Sequence, residues 1–148
     1  MPVLFDASIY IAALRPGGDP SQFFQRRADE APLWLSSVVL EELYAGASGV
    51  AVRAVERLEH DFEKAKRLLA PNLSDWASAG KVLARLAAKY GYERIGRPGL
   101  TNDALIAMSA ARTGTTVLTA TPRDFARIAE FRAFSWRTQA LRGCESGS

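Results

Sequence analysis

The sequence has one cysteine and one histidine among its 148 residues, and each scarcity removes a class of chemistry. A single thiol, Cys144 in the polar stretch RGCESGS, can neither close an internal disulfide nor build a Cys-rich zinc site. That usage fits a reducing compartment. With His60 alone, set in LEHDFEK, a ribonuclease mechanism that needs two histidines is excluded, and the charged neighbours place His60 on solvated surface. No window approaches the roughly 18 uninterrupted apolar residues that cross a bilayer. MPVLFDAS has neither the basic leader nor the apolar length of a signal peptide, so a cytoplasmic location is the expectation. A GxxxxGK phosphate-binding loop is also missing.

What is present suits one folded α/β domain. Hydrophobic residues make up 48% and charged residues 24%, enough for a sizeable core without the charge excess of a disordered chain. We expect a domain over residues 1–138 and a polar tail over 139–148. The net charge of +3, from 19 basic and 16 acidic residues, favours polyanions mildly, and ordinary surface composition gives the same value.

Along the chain, VLF at 3–5 reads as a short buried strand, and SIYIAAL as a helix packed back onto it. RPGGDP at 15–20 is a turn, after which Phe23 and Phe24 anchor a short helix ending near RRADEAP. LWLSS at 33–37 is a second strand, with Ser36 or Ser37 placed to cap the helix VVLEELYAGA. From Val50 to Leu69, Val55, Leu58, Phe62, Ala65 and Leu69 recur at spacings of three and four, which predicts one long amphipathic helix. Glu59 and Glu63 fall on its polar side, Glu63 four residues before Arg67. A helix over 74–90 offers Trp76, Val82, Leu83, Leu86 and Ala87 for burial. GRPG at 96–99 breaks the chain before TNDALIAMSAARTG at 101–114, a helix capped by Thr101. TTVLTA at 115–120 is a strand, Pro122 opens a last helix, and FRAFSW at 131–136 offers a last strand. Strands alternating with helices predict a three-layer α/β/α fold with a mostly parallel central sheet. Its ligand site then lies outside the carboxyl ends of the strands.

That rule gathers acids. Asp6 ends the first strand, Glu42 lies on the helix after the second, and Asp103 on the helix before the third. Asp124, in TPRDF, stands nearby. Each also has a structural explanation: Asp6 as a helix cap, Glu42 as surface, Asp103 as a first-turn acid, and Asp124 as a cap or a partner of Arg127. Val39, Leu43 and Gly46 share one side of their helix, which puts Glu42 at the packed border and Glu41 in solvent. Several carboxylates at one point repel one another unless a cation compensates, so Mg2+ or Mn2+ is the economical account. Three carboxylates can hold Mg2+ and leave positions for phosphate oxygens, which suits phosphodiester hydrolysis. Asp6, Glu42 and Asp103 are the candidate ligands, with Asp124 contributing through water. Ser8, Thr119 and Thr121 are candidates for the outer shell.

The set VLFDAS, SSVVLEELYAG, NDALIAMSA and TVLTATPRDFARI resembles the PIN domain, specifically the VapC-type toxins of bacterial toxin–antitoxin pairs, over nearly the whole chain. In this resemblance the first acid matches Asp6, the hydroxyl residue Ser8, the EL..G glutamate Glu42, and the third acid Asp103. Many relatives read T.D..DF or T.N..DF before the last helix. Here Thr119, Asp124 and Phe125 are kept, while Thr121 takes the variable acidic or amide position. The resemblance implies an Mg2+-dependent endoribonuclease that dimerises and is inhibited by a cognate antitoxin, which also binds operator DNA. Transfer, ribosomal and messenger RNA all remain open as substrates. Arg15, Arg94, Arg97, Arg112, Arg123 and Arg127 are basic residues that would contact phosphate or simply be solvated. A noncatalytic RNA-binding or partner-binding module is the main alternative. An aspartyl phosphatase is a weaker one, because FDAS lacks a second Asp two residues on.

Overall fold

In the computed structural model, residues 1–14, 31–91, 93 and 98–139 are described. The expected turn at 15–20, the helix after Phe23 and Phe24, Arg15, Arg94, Arg97 and Cys144 lie outside them. Among the described residues are five strands, β1 (Val3–Phe5), β2 (Leu33–Ser36), β3 (Leu68–Leu69), β4 (Thr116–Thr119) and β5 (Trp136–Thr138). Six helices accompany them: α1 (Ala7–Ala13), α2 (Ser37–Gly46), α3 (Val50–Lys64), α4 (Leu73–Tyr90), α5 (Pro98–Thr113) and α6 (Pro122–Ala129).

The strands form one sheet in the order β3-β2-β1-β4-β5, and every neighbouring pair is parallel. The expected α/β class with a parallel sheet is what the chain adopts. β1 is central: Val3 stands opposite Leu33 on one side and Thr116 on the other, and Phe5 opposite Leu118. All three β1 residues are buried, as a strand covered on both faces requires. This register brings the residue after β1 level with the end of β4, where the Asp6 N–H donates to the Leu118 carbonyl at 3.0 Å.

Tyr10, Phe5, Phe62 and Phe125 are the largest fully buried side chains. Phe5 and Tyr10 meet edge to face at 5.6 Å between ring centres, a favoured aromatic geometry. Val55, Leu58 and Phe62 face the core from α3, and the Tyr44 hydroxyl ties α2 to α3 by donating to Glu59 at 2.6 Å. Asn72 and Asp75 form a reciprocal capping box that starts α4. The buried Asp75 carboxylate also takes the Arg112 guanidinium, 2.9 Å away, which fastens the start of α4 to the end of α5. Among the described residues no helix is long and apolar enough to cross a membrane.

Four local expectations are corrected. The helix foreseen through Leu69 stops at Lys64, because Lys66 takes a left-handed φ of 57°. The Arg67 N–H then reaches the Phe62 carbonyl and the Lys66 N–H that of Glu63, a Schellman closure. The chain turns into β3, Ala65 is exposed, and Glu63 and Arg67 lose their helical spacing. Second, α5 begins at Pro98, so Thr101 lies inside the helix and Asp103 beyond its first turn. Pro is tolerated at the first helical position because that N–H has no helical acceptor. Third, the last strand is Trp136–Thr138, since Phe131 and Arg132 still donate back to Ile128 as a turn. Fourth, Trp76 is 56% exposed, while Val82, Leu86 and Ala87 are buried as expected.

Candidate active site

Asp6 leaves β1 and enters α1 as its N-cap residue, yet its side chain makes no capping bond. Both carboxylate oxygens go instead to hydroxyls. The Ser8 hydroxyl donates to Oδ1 at 2.5 Å and that of Thr119 to Oδ2 at 2.6 Å. Each hydroxyl is in turn fixed by the loop after β4: the Ala120 N–H donates to Ser8 Oγ at 3.1 Å, and the Thr121 N–H to Thr119 Oγ1 at 3.0 Å. Asp6 is thus held from both sides by hydroxyls whose orientation the backbone sets. Burial raises its pKa, and the hydroxyl bonds, helped by the backbone amides of Ser8 and Ile9, pull in the opposite direction by favouring the anion.

Glu42 projects from α2 at the edge of the packed face, between buried Leu43 and exposed Glu41. Its Oε1 is buried and has no hydrogen-bond partner. Burial lifts its pKa to about 7, with Glu41 and Asp6 adding repulsion and Asn102 opposing it. The Asn102 amide itself donates to Glu41 Oε2 at 3.3 Å, so it stands between the two glutamates. Sequence reasoning passed over Asn102, although its place immediately before Asp103 in NDAL was the available signal.

Asp103 is displaced further from its ordinary range than Glu42. Burial pushes it up to about 8, and the charges of Asp6, Glu42 and Asp124 push in the same direction. Asp103 on α5 therefore feels carboxylates on α2, on α6 and at the end of β1. Asp124 lies in the first turn of α6, partly buried. Its suggested partner Arg127 instead stacks over Tyr90 at 4.4 Å. Thr121 is exposed, with its hydroxyl 3.4 Å from that of Thr119.

Among the described residues, no three His, Cys, Asp or Glu side chains stand grouped as a ready-made ion cage. The donor set nevertheless suits a hard divalent cation. It is all oxygen, it carries mutual repulsion that a cation would relieve, and it includes an orphaned buried oxygen on Glu42.

Thr119 is fully buried, so Thr119→Val should leave one Asp6 oxygen and the Thr121 N–H unsatisfied. We expect a loss of about 1–3 kcal/mol, measured by urea denaturation, and recovery in Thr119→Ser. A Val variant as stable as wild type would contradict the two-sided clamp.

The model of the PIN domain family matches residues 3–131. The chain belongs to the PIN domain family. Solved structures share this PIN fold at low identity. VapBC2 from Rickettsia felis, bound to a DNA fragment from its promoter, matches with a TM-score of 0.66 and 20% identity, over 95% of this chain and 100% of that one. DNA-bound VapBC from Salmonella typhimurium gives 0.66 and 23%, over 93% and 98%. VapBC-1 from nontypeable Haemophilus influenzae gives 0.64 and 24%, again over 93% and 98%. No curated protein sequence matches significantly. The PIN fold places Asp6, Glu42 and Asp124 within electrostatic reach of Asp103, and brings Ser8 and Thr119 onto Asp6.

Proposed function

We propose that this PIN domain protein is an Mg2+-dependent endoribonuclease, the VapC-type toxin of a toxin–antitoxin pair. The observation that carries the reading is the lift of Asp103 to about 8 by burial and by three other acids, the signature of a site built to receive positive charge. Asp6, Glu42 and Asp103 would hold Mg2+, with Mn2+ as a substitute and Asp124 acting through water. Bound there, the ion supplies a more acidic water and offsets negative charge on the phosphoryl oxygens.

The protein's own residues do the rest. Ser8 and Thr119 favour the anion of Asp6 against the effect of its burial and fix its orientation, as outer-shell partners do. Glu42, with its pKa lifted to about 7 by burial, would give up its proton to act as a ligand. Asp124 faces the same region from the start of α6 and would orient a water. Cognate antitoxin, operator DNA reached through the antitoxin complex, and a cytoplasmic location complete the proposal, supported by the VapBC complexes that share the fold. A homodimer is supported by exposed Leu68, Leu73 and Trp76; a monomer mass in light scattering over a wide concentration range would remove it. We take residues 1–138 as the nuclease unit and 139–148 as its tail.

The test is cleavage of a transfer and ribosomal RNA panel by metal-stripped protein, with and without added Mg2+ or Mn2+. Discrete cuts restored by metal are expected. No cuts under any metal condition would turn the assignment toward a noncatalytic RNA-binding or partner-binding module. Within that assay Glu42→Gln should lower kcat/KM by at least about 10-fold, and Glu41→Gln by much less, since Glu41 is exposed and has its own amide partner. Equal losses would erase the distinction between the two glutamates.

A further inference from the structure

A second feature lies away from the acids. A groove of about 350 Å³ is lined by Ser78, Lys81, Val82 and Arg85 of α4, Met108 of α5, and Phe131 and Arg132 after α6. Ser78, Lys81, Val82 and Arg85 are spaced by three and four residues, so they share one face of α4. Val82 and Met108 are buried and Phe131 half-buried, giving the groove an apolar floor, while Lys81, Arg85 and Arg132 are exposed at its rim. No acid lines it.

The state of these three cations separates them from their neighbours. Lys89 is paired with Glu130, Arg112 with Asp75, and Arg127 is stacked on Tyr90. Lys81, Arg85 and Arg132 have no carboxylate partner among the described residues. Three unpaired cations at the rim of one apolar depression make it electropositive, and the complement is a ligand that combines negative charge with a flat apolar surface. A strand of RNA has both, phosphates for the rim and a base for the floor. A run of acidic side chains supplies only the charge. Met108 stands five residues after Asp103, about 7.5 Å along α5 and about 140° around it. The groove therefore opens on a different face of α5 from the acid cluster.

We propose that this groove is an exosite for RNA, in which Lys81, Arg85 and Arg132 hold the phosphate backbone of a single strand and Val82, Met108 and Phe131 receive a base. The inference rests on RNA being the substrate. It adds a second point of contact outside the acid cluster, which would select RNAs long enough to reach both.

The experiment measures fluorescence anisotropy of a fluorescein-labelled oligouridylate of about a dozen nucleotides, in chelator so that nothing is cut. Wild type is compared with Lys81→Gln/Arg85→Gln/Arg132→Gln and with a control of equal charge change, Arg53→Gln/Arg57→Gln/Lys64→Gln, all exposed positions on α3. The groove variant should bind at least about 10-fold more weakly, and its plot of log affinity against log salt should be shallower by about 2, since each neutralised phosphate of a single strand contributes about 0.7. The control should lose much less. Equal weakening of both triple variants, no weakening of the groove variant, or no binding by wild type would each overturn the exosite. Displacement of the probe by an oligoglutamate as readily as by unlabelled oligouridylate would make the groove an acidic-peptide site instead. Displacement by uridine monophosphate at matched phosphate concentration would assign it to free nucleotides; both results overturn the proposal. The exosite and the nuclease reading fail separately. Loss of binding only in the groove variant, beside an Asp6→Asn protein that still cuts, removes the acid-site assignment and leaves the exosite standing. Metal-dependent cutting with an unchanged KM in the groove variant removes the exosite alone.

Discussion

Asp6→Asn should reduce metal-restored RNA cleavage by about 10³-fold or more while the chain stays folded. Asp6 is 4% exposed, with both oxygens bonded to hydroxyls, so its replacement must keep shape and hydrogen bonding to be informative. Asn keeps the shape and most of the bonding. Its carbonyl accepts from one hydroxyl, and its amide donates to the other, whose second lone pair is free beside the backbone N–H it already accepts and whose own O–H turns to another acceptor. What disappears is the negative charge at the central position of the sheet. Melting temperature and far-UV circular dichroism should therefore stay close to wild type while cleavage is lost. Cleavage at the wild-type rate by a folded Asp6→Asn protein would end the case for a carboxylate-held metal, whatever the other acids do. Asp6→Ala is less useful, because it strands both hydroxyls and mixes folding with chemistry.

The acids could be found in the sequence because the chemistry demands charged residues at the ends of apolar elements, where they are conspicuous. VLF running into Asp6 is such a place, and β1 ends at Phe5 with Asp6 next. Glu42 could be separated from Glu41 because Val39 and Leu43 fix the buried side of α2, and the structure leaves Glu41 exposed and Glu42 partly buried. β3 was hidden for the opposite reason. Phe62, Ala65 and Leu69 keep a helical period across the break, and the left-handed position that ends α3 is a lysine, where glycine or asparagine would have announced it. The Ser8 and Thr119 clamp was only half visible. Both hydroxyls could be nominated by their neighbourhood, but 113 residues separate Thr119 from Asp6, and only the pairing of β1 with β4 brings them together. The groove of Lys81, Arg85 and Arg132 had no linear signal, since the third cation reaches it from the turn after α6.

The same acids that mark the site should make the metal-free protein lose stability as pH rises. Asp103 titrates at 3.8 when unperturbed and about 8 in the fold, and Glu42 at 4.5 and about 7. Both folded values are raised, so the folded state holds these protons more tightly than the unfolded chain does. Their contribution is fully present below about pH 4 and is lost progressively up to about pH 8. Each pH unit of displacement corresponds to about 1.4 kcal/mol; solvent reaches both partly exposed side chains and reduces the total to a few kcal/mol. Glu130, lowered by its bond to Lys89, acts with the opposite sign at the acid end, so the comparison needs a variant. Metal-free Asp103→Asn should melt above wild type at pH 8, and that advantage should vanish near pH 4. Saturating Mg2+ or Mn2+ should raise wild type at pH 8 by about 5–10 °C, the shift expected for a ligand at 100 times its Kd in a chain of this size, and should raise Asp103→Asn far less. If the variant keeps the full wild-type pH slope, Asp103 is not the residue that carries the strain. If wild type gains nothing from metal at pH 8, the acids are not a cation site.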